Sequence, residues 1–235
     1  MELTKYQLGE VLLVDKPLTW TSFQAVNKLK YAIRAAYGLK KIKIGHAGTL
    51  DPLASGLLII CTGKFTKTIE TYQGQAKEYT GTVKLGATTP SYDLETEEDK
   101  QFPTEHITDE AIYKMAEQFV GEQDQFPPIF SAIKQKGEAL YKKARRGEDV
   151  VVKARKITFH EVEITDISLP YVSFRIKCSK GTYLRSFAFD FGKSLNSGGH
   201  LTALRRTKIG DFSVNDAFDV ETLAEKISKE HIKAE

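Results

Sequence analysis

Residues 45–56 read GHAGTLDPLASG and put one carboxylate, Asp51, and one imidazole, His46, on a stretch that carries three glycines. The basic run KKIKI precedes it and the apolar run LLIIC follows. Pro52 pushes Asp51 toward an extended backbone and discourages a helix running through it. Gly45 and Gly48 permit tight turning or the close approach of another backbone. A carboxylate presented on such a loop could serve as a nucleophile. It could equally be an Asx-turn, or the N-cap of a helix that starts at Pro52. Spacing alone leaves both readings open and favours the structural one.

Other site chemistries find less support. GLLIICTGKF contains a Gly-Lys pair, but Phe65 follows Lys64 and Gly56 lies too far upstream, so the phosphate-binding spacing GxxxxGK[ST] is not met. His46, His106, His160, His200 and His231 show neither HExxH nor HxxxH spacing, so no metal site is expected. There is no GxSxG elbow. Cys61 and Cys178 lie far apart in apolar or alternating stretches. They read as small buried hydrophobes rather than a disulfide framework.

The elements that must position these residues come from periodicity. GEVLLVDKP predicts a short buried strand, and TSFQAVNKLKYAIRAAYG a helix. That helix is capped by Thr21 or Ser22, ended by Gly38, and has Phe23, Val26, Ile33 and Ala36 at roughly helical spacing. EYTGTVKLGA predicts a strand. A second helix follows Thr108, with Asp109 and Glu110 at its positive end and Ile112, Met115 and Phe119 on one face. KITFHEVEITDISL and YVSFRIKCS alternate at period two, as neighbouring strands do. GTYLRSFAFDFGKSL predicts a helix with Leu184, Phe187, Ala188, Phe191 and Leu195 inward. The expected class is mixed α/β, built on a sheet.

With 235 residues, 41% hydrophobic and 28% charged, the chain can bury a sizeable core and has ordinary globular composition. MELTKYQLGEVLLVDKP lacks a basic region followed by a long apolar one, so no signal peptide is expected, and LLIIC is too short to span a bilayer. A reducing cytoplasmic setting is the default. Net charge is only +3, yet charge is segregated. Residues 133–156 hold nine bases (Lys134, Lys136, Lys142, Lys143, Arg145, Arg146, Lys153, Arg155, Lys156) against Glu138, Glu148 and Asp149. Residues 177–209 hold seven, Arg185, Arg205 and Arg206 among them, against Asp190. Such segments suit a polyphosphate partner, or simply make a solvated face.

GHAGTLDPLASGLLIICTGKFTK resembles the catalytic motif of the TruB family of tRNA pseudouridine synthases. VLLVDKPLTWTS resembles the family's first motif, and KEYTGTVKLGATTPSYD its segment with the active-site tyrosine. QFPPIFSAIKQKGEALYKKARRGE resembles its RNA-gripping insertion. KCSKGTYLRSFAFDFG and GGHLTALRRTKIGDF resemble the closing motifs. The resemblance runs in order over roughly residues 9–214. Many members carry a further RNA-binding domain of the PUA type. Here about twenty residues follow the last motif, and FDVETLAEKISKEHIKAE reads as one short helix and a charged tail. The expectation is a single catalytic domain, 1–235, with a pseudouridine synthase fold: a mixed, mostly antiparallel sheet flanked by helices, an insertion at about 126–156, and no separate PUA domain.

The resemblance implies isomerisation of uridine to pseudouridine at position 55, in the TΨC loop of tRNA, without cofactor, metal, membrane or protein partner. It implies that Asp51 is the essential carboxylate, whether it adds to sugar or base or removes the 2′ proton. A carboxylate in a closed pocket tends to take up a proton, and a guanidinium beside it keeps it ionised. The resemblance gives Arg185 that role. Tyr79 is carried over as the tyrosine stacked on the base, Tyr183 as a pocket residue, Leu204 as an apolar wall, and Asp93 as a group near the target. Lys16, with Pro17, supports the loop. His46 fills the space left by a flipped base. Lys134, Lys136, Lys142, Lys143, Arg145, Arg146, Arg205 and Arg206 are the candidates for gripping the RNA backbone. Two other readings are a non-catalytic chaperone that folds tRNA elbows and an Asp-dependent hydrolase. The latter would want a second carboxylate or a metal cluster near Asp51, which no local spacing offers.

Overall fold

A computed structural model describes residues 3–131, 133–135, 137–148, 150 and 152–230. Its chain divides into two compact units, residues 1–79 with 205–235 and residues 80–204. Two strands, Lys77–Leu85 and Gly199–Ile209, run through both.

In the first unit, Val11–Lys16 pairs antiparallel with Ala54–Thr62, with Val11 opposite Cys61 and Lys16 opposite Gly56. On its other edge it pairs parallel with Phe218–Asp219. Every residue from Leu57 to Thr62 is buried, so the strand reads as an unbroken apolar run rather than an alternating one. The helix Ser22–Ala36 starts with a capping box. The Thr21 hydroxyl accepts from the Gln24 N–H while the Gln24 side chain accepts from the Thr21 N–H. Ala25, Val26, Leu29, Ile33 and Ala36 face the core. Phe23 does not. It is 69% exposed, one position off the buried face. The C-terminal helix Val220–Glu230 packs Val220, Leu223, Ala224 and Ile227 into the same core, so this segment is part of the fold.

In the second unit the strand order is Gly199–Ile209, Lys77–Leu85, Tyr171–Cys178, Arg155–Ser168, Gly121–Gln125. The last three pair antiparallel, as alternation predicts for the longest two. The helix Leu184–Ser194 buries Leu184, Phe187, Ala188 and Phe191 as expected, and Leu195 at its C-cap is buried as well. Phe119, Phe159, Phe174, Phe187 and Phe191 form a ring cluster with centroids 5.1–6.1 Å apart. These offset and edge-to-face pairs add to simple burial. The sheet is large and mostly antiparallel, in the mixed α/β class expected.

Candidate active site

Asp51 lies on the loop between strands Ile44–His46 and Ala54–Thr62. No helix starts at Pro52; a turn leads into the strand, and the Ala54 N–H donates to the Asp51 carbonyl at 3.1 Å. The loop is irregular, but its backbone groups are accounted for almost residue by residue. The Ala47 N–H donates to the Ile59 carbonyl at 2.8 Å. The Gly48 carbonyl accepts from Arg206 Nη2 at 3.1 Å. The Ser22 hydroxyl bonds both backbone groups of Leu50, and the Pro52 carbonyl accepts from the Thr19 N–H at 2.8 Å. The Asp51 side chain is half-buried. Gly56, at φ +105°, is where the strand passes the Arg206 backbone; a Cβ there would collide with the Arg206 carbonyl oxygen.

Two buried cations act on this loop or on its charge. Lys16 is wholly buried, and its Nζ donates to the carbonyls of Pro17 at 2.8 Å and Trp20 at 2.6 Å. Burial pulls its pKa down to about 8, with the Asp51 charge pulling the other way. Lys16 thus ties the segment 17–20 and shares an electrostatic field with Asp51.

Arg206 corrects the sequence reading. The resemblance groups it with the candidates for gripping RNA phosphates, yet it is only 2% exposed. Its Nε donates to the Leu57 carbonyl at 2.7 Å and its Nη2 to Gly48. It is an internal brace, because its strand crosses directly over Gly56. Its neighbour Arg205 points the other way and forks onto Asp15 at 2.6 and 3.0 Å. His46 is half-buried. Burial first, and the Arg206 charge second, push its pKa below the ordinary value, so the ring is neutral at pH 7. Tyr79 is buried on the strand Lys77–Leu85. The strand's first residue, Lys77, caps the carbonyls of Tyr72, Gln73 and Gln75.

In the second unit Arg185 and Asp93 are both buried, with Arg185 Nε 3.6 Å from Asp93 Oδ2. Arg185 Nη1 donates to the Ser91 carbonyl at 3.2 Å, and Asp93 Oδ1 accepts from the Glu95 N–H at 3.0 Å. Sequence reasoning named both residues but missed this pairing; nothing local couples two positions so far apart in the chain. Tyr183, half-buried, is the N-cap of helix Leu184–Ser194. The Gln125 side chain receives its N–H at 2.8 Å and donates to its carbonyl at 3.1 Å. Leu204 is half-buried on the strand Gly199–Ile209.

In the segment expected to be an insertion, about 126–156, two exposed arginines are paired with acids. Arg145 pairs with Glu95 at 2.6 Å, and Arg146 forks onto Glu138 at 2.7 and 2.9 Å while its Nε reaches Glu148 at 2.7 Å. Lys142 is exposed, and Lys143 lies 3.4 Å from Gln135 Oε1. Lys134 belongs to the short strand Lys134–Gln135. Lys136 falls outside the described residues. Among the described residues there is no cluster of His, Cys, Asp and Glu that could hold a metal ion. No described helix is long and apolar enough to cross a membrane.

Two family models match end to end. The TruB family pseudouridylate synthase N-terminal domain covers residues 34–184, and the tRNA pseudouridylate synthase B C-terminal domain covers 185–235. The chain belongs to the TruB family. It is 64% identical to tRNA pseudouridine synthase B of Flavobacterium johnsoniae, over 95% of this chain and 98% of that protein. It is 52% identical to the Phocaeicola vulgatus protein of the same name, over 97% of both. Among solved structures it is similar to a Cbf5-Nop10-Gar1 complex, with TM-score 0.71 and 27% identity over 94% of this chain. It also resembles an H/ACA RNP bound to a substrate RNA containing 2′-deoxyuridine, with TM-score 0.68 and 25% identity. The chain spans 54% and 53% of those two structures' chains. This TruB-family chain is therefore an isomerase with the pseudouridine synthase fold, and it converts uridine to pseudouridine in tRNA.

Proposed function

We propose that the uridine converted is that of position 55, in the TΨC loop of tRNA, and that Asp51 is the reacting carboxylate. The observation that carries the reading is the Asp51 loop. It presents a half-buried carboxylate on a backbone tied at Ala47, Gly48, Leu50, Asp51 and Pro52. Such fixed presentation is what catalysis by a positioned group requires. The reaction breaks the bond from ribose C1′ to base N1, turns the uracil, and joins C1′ to C5. N1 gains a proton and C5 loses one, so no external group or electron is needed.

In this reading Arg185 is the guanidinium partner of the reacting carboxylate, and Asp93 holds Arg185. Tyr79 stacks on the base, with Tyr183 and Leu204 lining its pocket and Lys16 holding the loop from below. A uridine stacked in folded RNA must be extruded, at a cost of roughly a few kcal/mol. His46, as a neutral ring, occupies the space it leaves. Lys134, Lys136, Lys142, Lys143, Arg145, Arg146 and Arg205 contact RNA phosphates, the insertion closing on the RNA as one part of a single catalytic domain. The setting is cytoplasmic, in keeping with two buried free thiols, Cys61 and Cys178.

The test is tritium release from an unmodified tRNA transcript labelled at C5 of its uridines, beside a transcript whose TΨC-loop uridine 55 is replaced by cytidine. One equivalent released from the first and none from the second is the expected result. Equal release from both would place the modification elsewhere.

A further inference from the structure

Ser22 is the first residue of the helix Ser22–Ala36, one position past the N-cap from which a serine commonly serves the helix end. Here that task falls to Thr21, whose side chain and Gln24 complete the capping box. The Ser22 hydroxyl turns instead toward the Asp51 loop. It accepts from the Leu50 N–H at 2.9 Å and donates to the Leu50 carbonyl at 3.1 Å. One hydroxyl thus satisfies both backbone groups of the residue before Asp51, in a site where Ser22 is 2% and Leu50 4% exposed. The residue after Asp51 is held from the same segment, by the Thr19 N–H on the Pro52 carbonyl. Thr19 makes that bond from φ +68°, a left-handed backbone seldom adopted by a β-branched residue. Asp51 is therefore bracketed at both neighbours by Thr19 and Ser22, whose segment leads into a helix fixed in the core by Ala25, Val26, Leu29 and Ile33.

We propose that Ser22 is a positioning residue for Asp51, its hydroxyl fixing the Leu50 backbone and hence the aim of the carboxylate. The inference rests on the reading of Asp51 as the reacting group. Removing the hydroxyl leaves a buried N–H and a buried carbonyl unmet, and the loop must move to find partners. A displacement of about 1 Å at a reacting group costs on the order of a hundredfold in rate.

The experiment is single-turnover tritium release at saturating enzyme, with tRNA affinity and thermal midpoint measured on the same proteins: wild type, Ser22→Ala, Thr21→Ala and Asp51→Asn. Thr21→Ala removes the exposed cap of the same helix without touching the loop, so it lowers the midpoint and keeps the wild-type rate. Ser22→Ala is expected to lose roughly ten- to a hundredfold in rate with affinity unchanged within about twofold. A folded Ser22→Ala protein with the wild-type rate, while Asp51→Asn is inactive, overturns the role of Ser22. A loss no larger than that of Thr21→Ala at an equal midpoint does the same. Asp51→Asn at the wild-type rate instead overturns the reading beneath it. Should Ser22→Ala fail to fold, Ser22→Cys keeps the volume with a much weaker donor and acceptor, and the same outcomes decide.

Discussion

Among the described residues, the Asp51 loop and the segment 126–154 both lack long regular elements, yet they are built in opposite ways. The loop is held by short bonds, to the buried Ser22 and Arg206 side chains and the buried Ile59 backbone, and to the backbone of Thr19. The second segment holds Arg145 and Arg146 in exposed pairs with Glu95, Glu138 and Glu148. Buried ties fix geometry, because an unmet buried polar group is costly. Exposed ion pairs are worth little and exchange readily. The first region is suited to aiming one carboxylate. The second is suited to exchanging the glutamates on its arginines for other anions.

The comparison breaks most sharply at Asp51, where losing the carboxylate should cost on the order of a thousandfold or more in rate and leave tRNA binding intact. His46→Ala comes next. Filtration binding should show affinity weakened roughly tenfold, with a smaller loss in single-turnover rate, because a stacked ring contributes on the order of 1–3 kcal/mol. Equal affinity with a slower chemical step would remove His46 from its role. For the insertion, Arg145→Gln combined with Arg146→Gln should lower the slope of log affinity against log salt by about one to two. An unchanged slope would mean that these arginines stay with their own glutamates.

The smallest effect concerns Lys16. Burial lowers its pKa from 10.5 to about 8, so the unfolded chain binds this proton more tightly than the native one. Native stability therefore rises as pH climbs from about 8 to about 10.5, and the wild type gains on Lys16→Met across that window in denaturant titrations. A gain on the acid side of pH 8 instead would contradict the assignment.

Local signals in the sequence carried far, and the reasons for the limits are physical. The cap at Thr21, the inward face of helix Leu184–Ser194 and the pairing of Arg155–Ser168 with Tyr171–Cys178 all follow from residue type and period. Phe23 misled because helix spacing alone does not say which stripe meets the core; Ala25, Leu29 and Ser22 do. Arg206 misled because its type suggests a phosphate, while its burial depends on the strand Ala54–Thr62 far back in the chain. The bond from Ser22 to Leu50 and the pairing of Asp93 with Arg185 were hidden for the same reason. Motif order located the residues of the candidate site. The bonds that hold them became legible only once distant segments had been brought together.

The most direct test of the central claim is single-turnover tritium release by Asp51→Asn, run beside tRNA binding by the same protein. The account predicts wild-type affinity with no release above background. Release at the wild-type rate from a folded, tRNA-binding Asp51→Asn protein would contradict it.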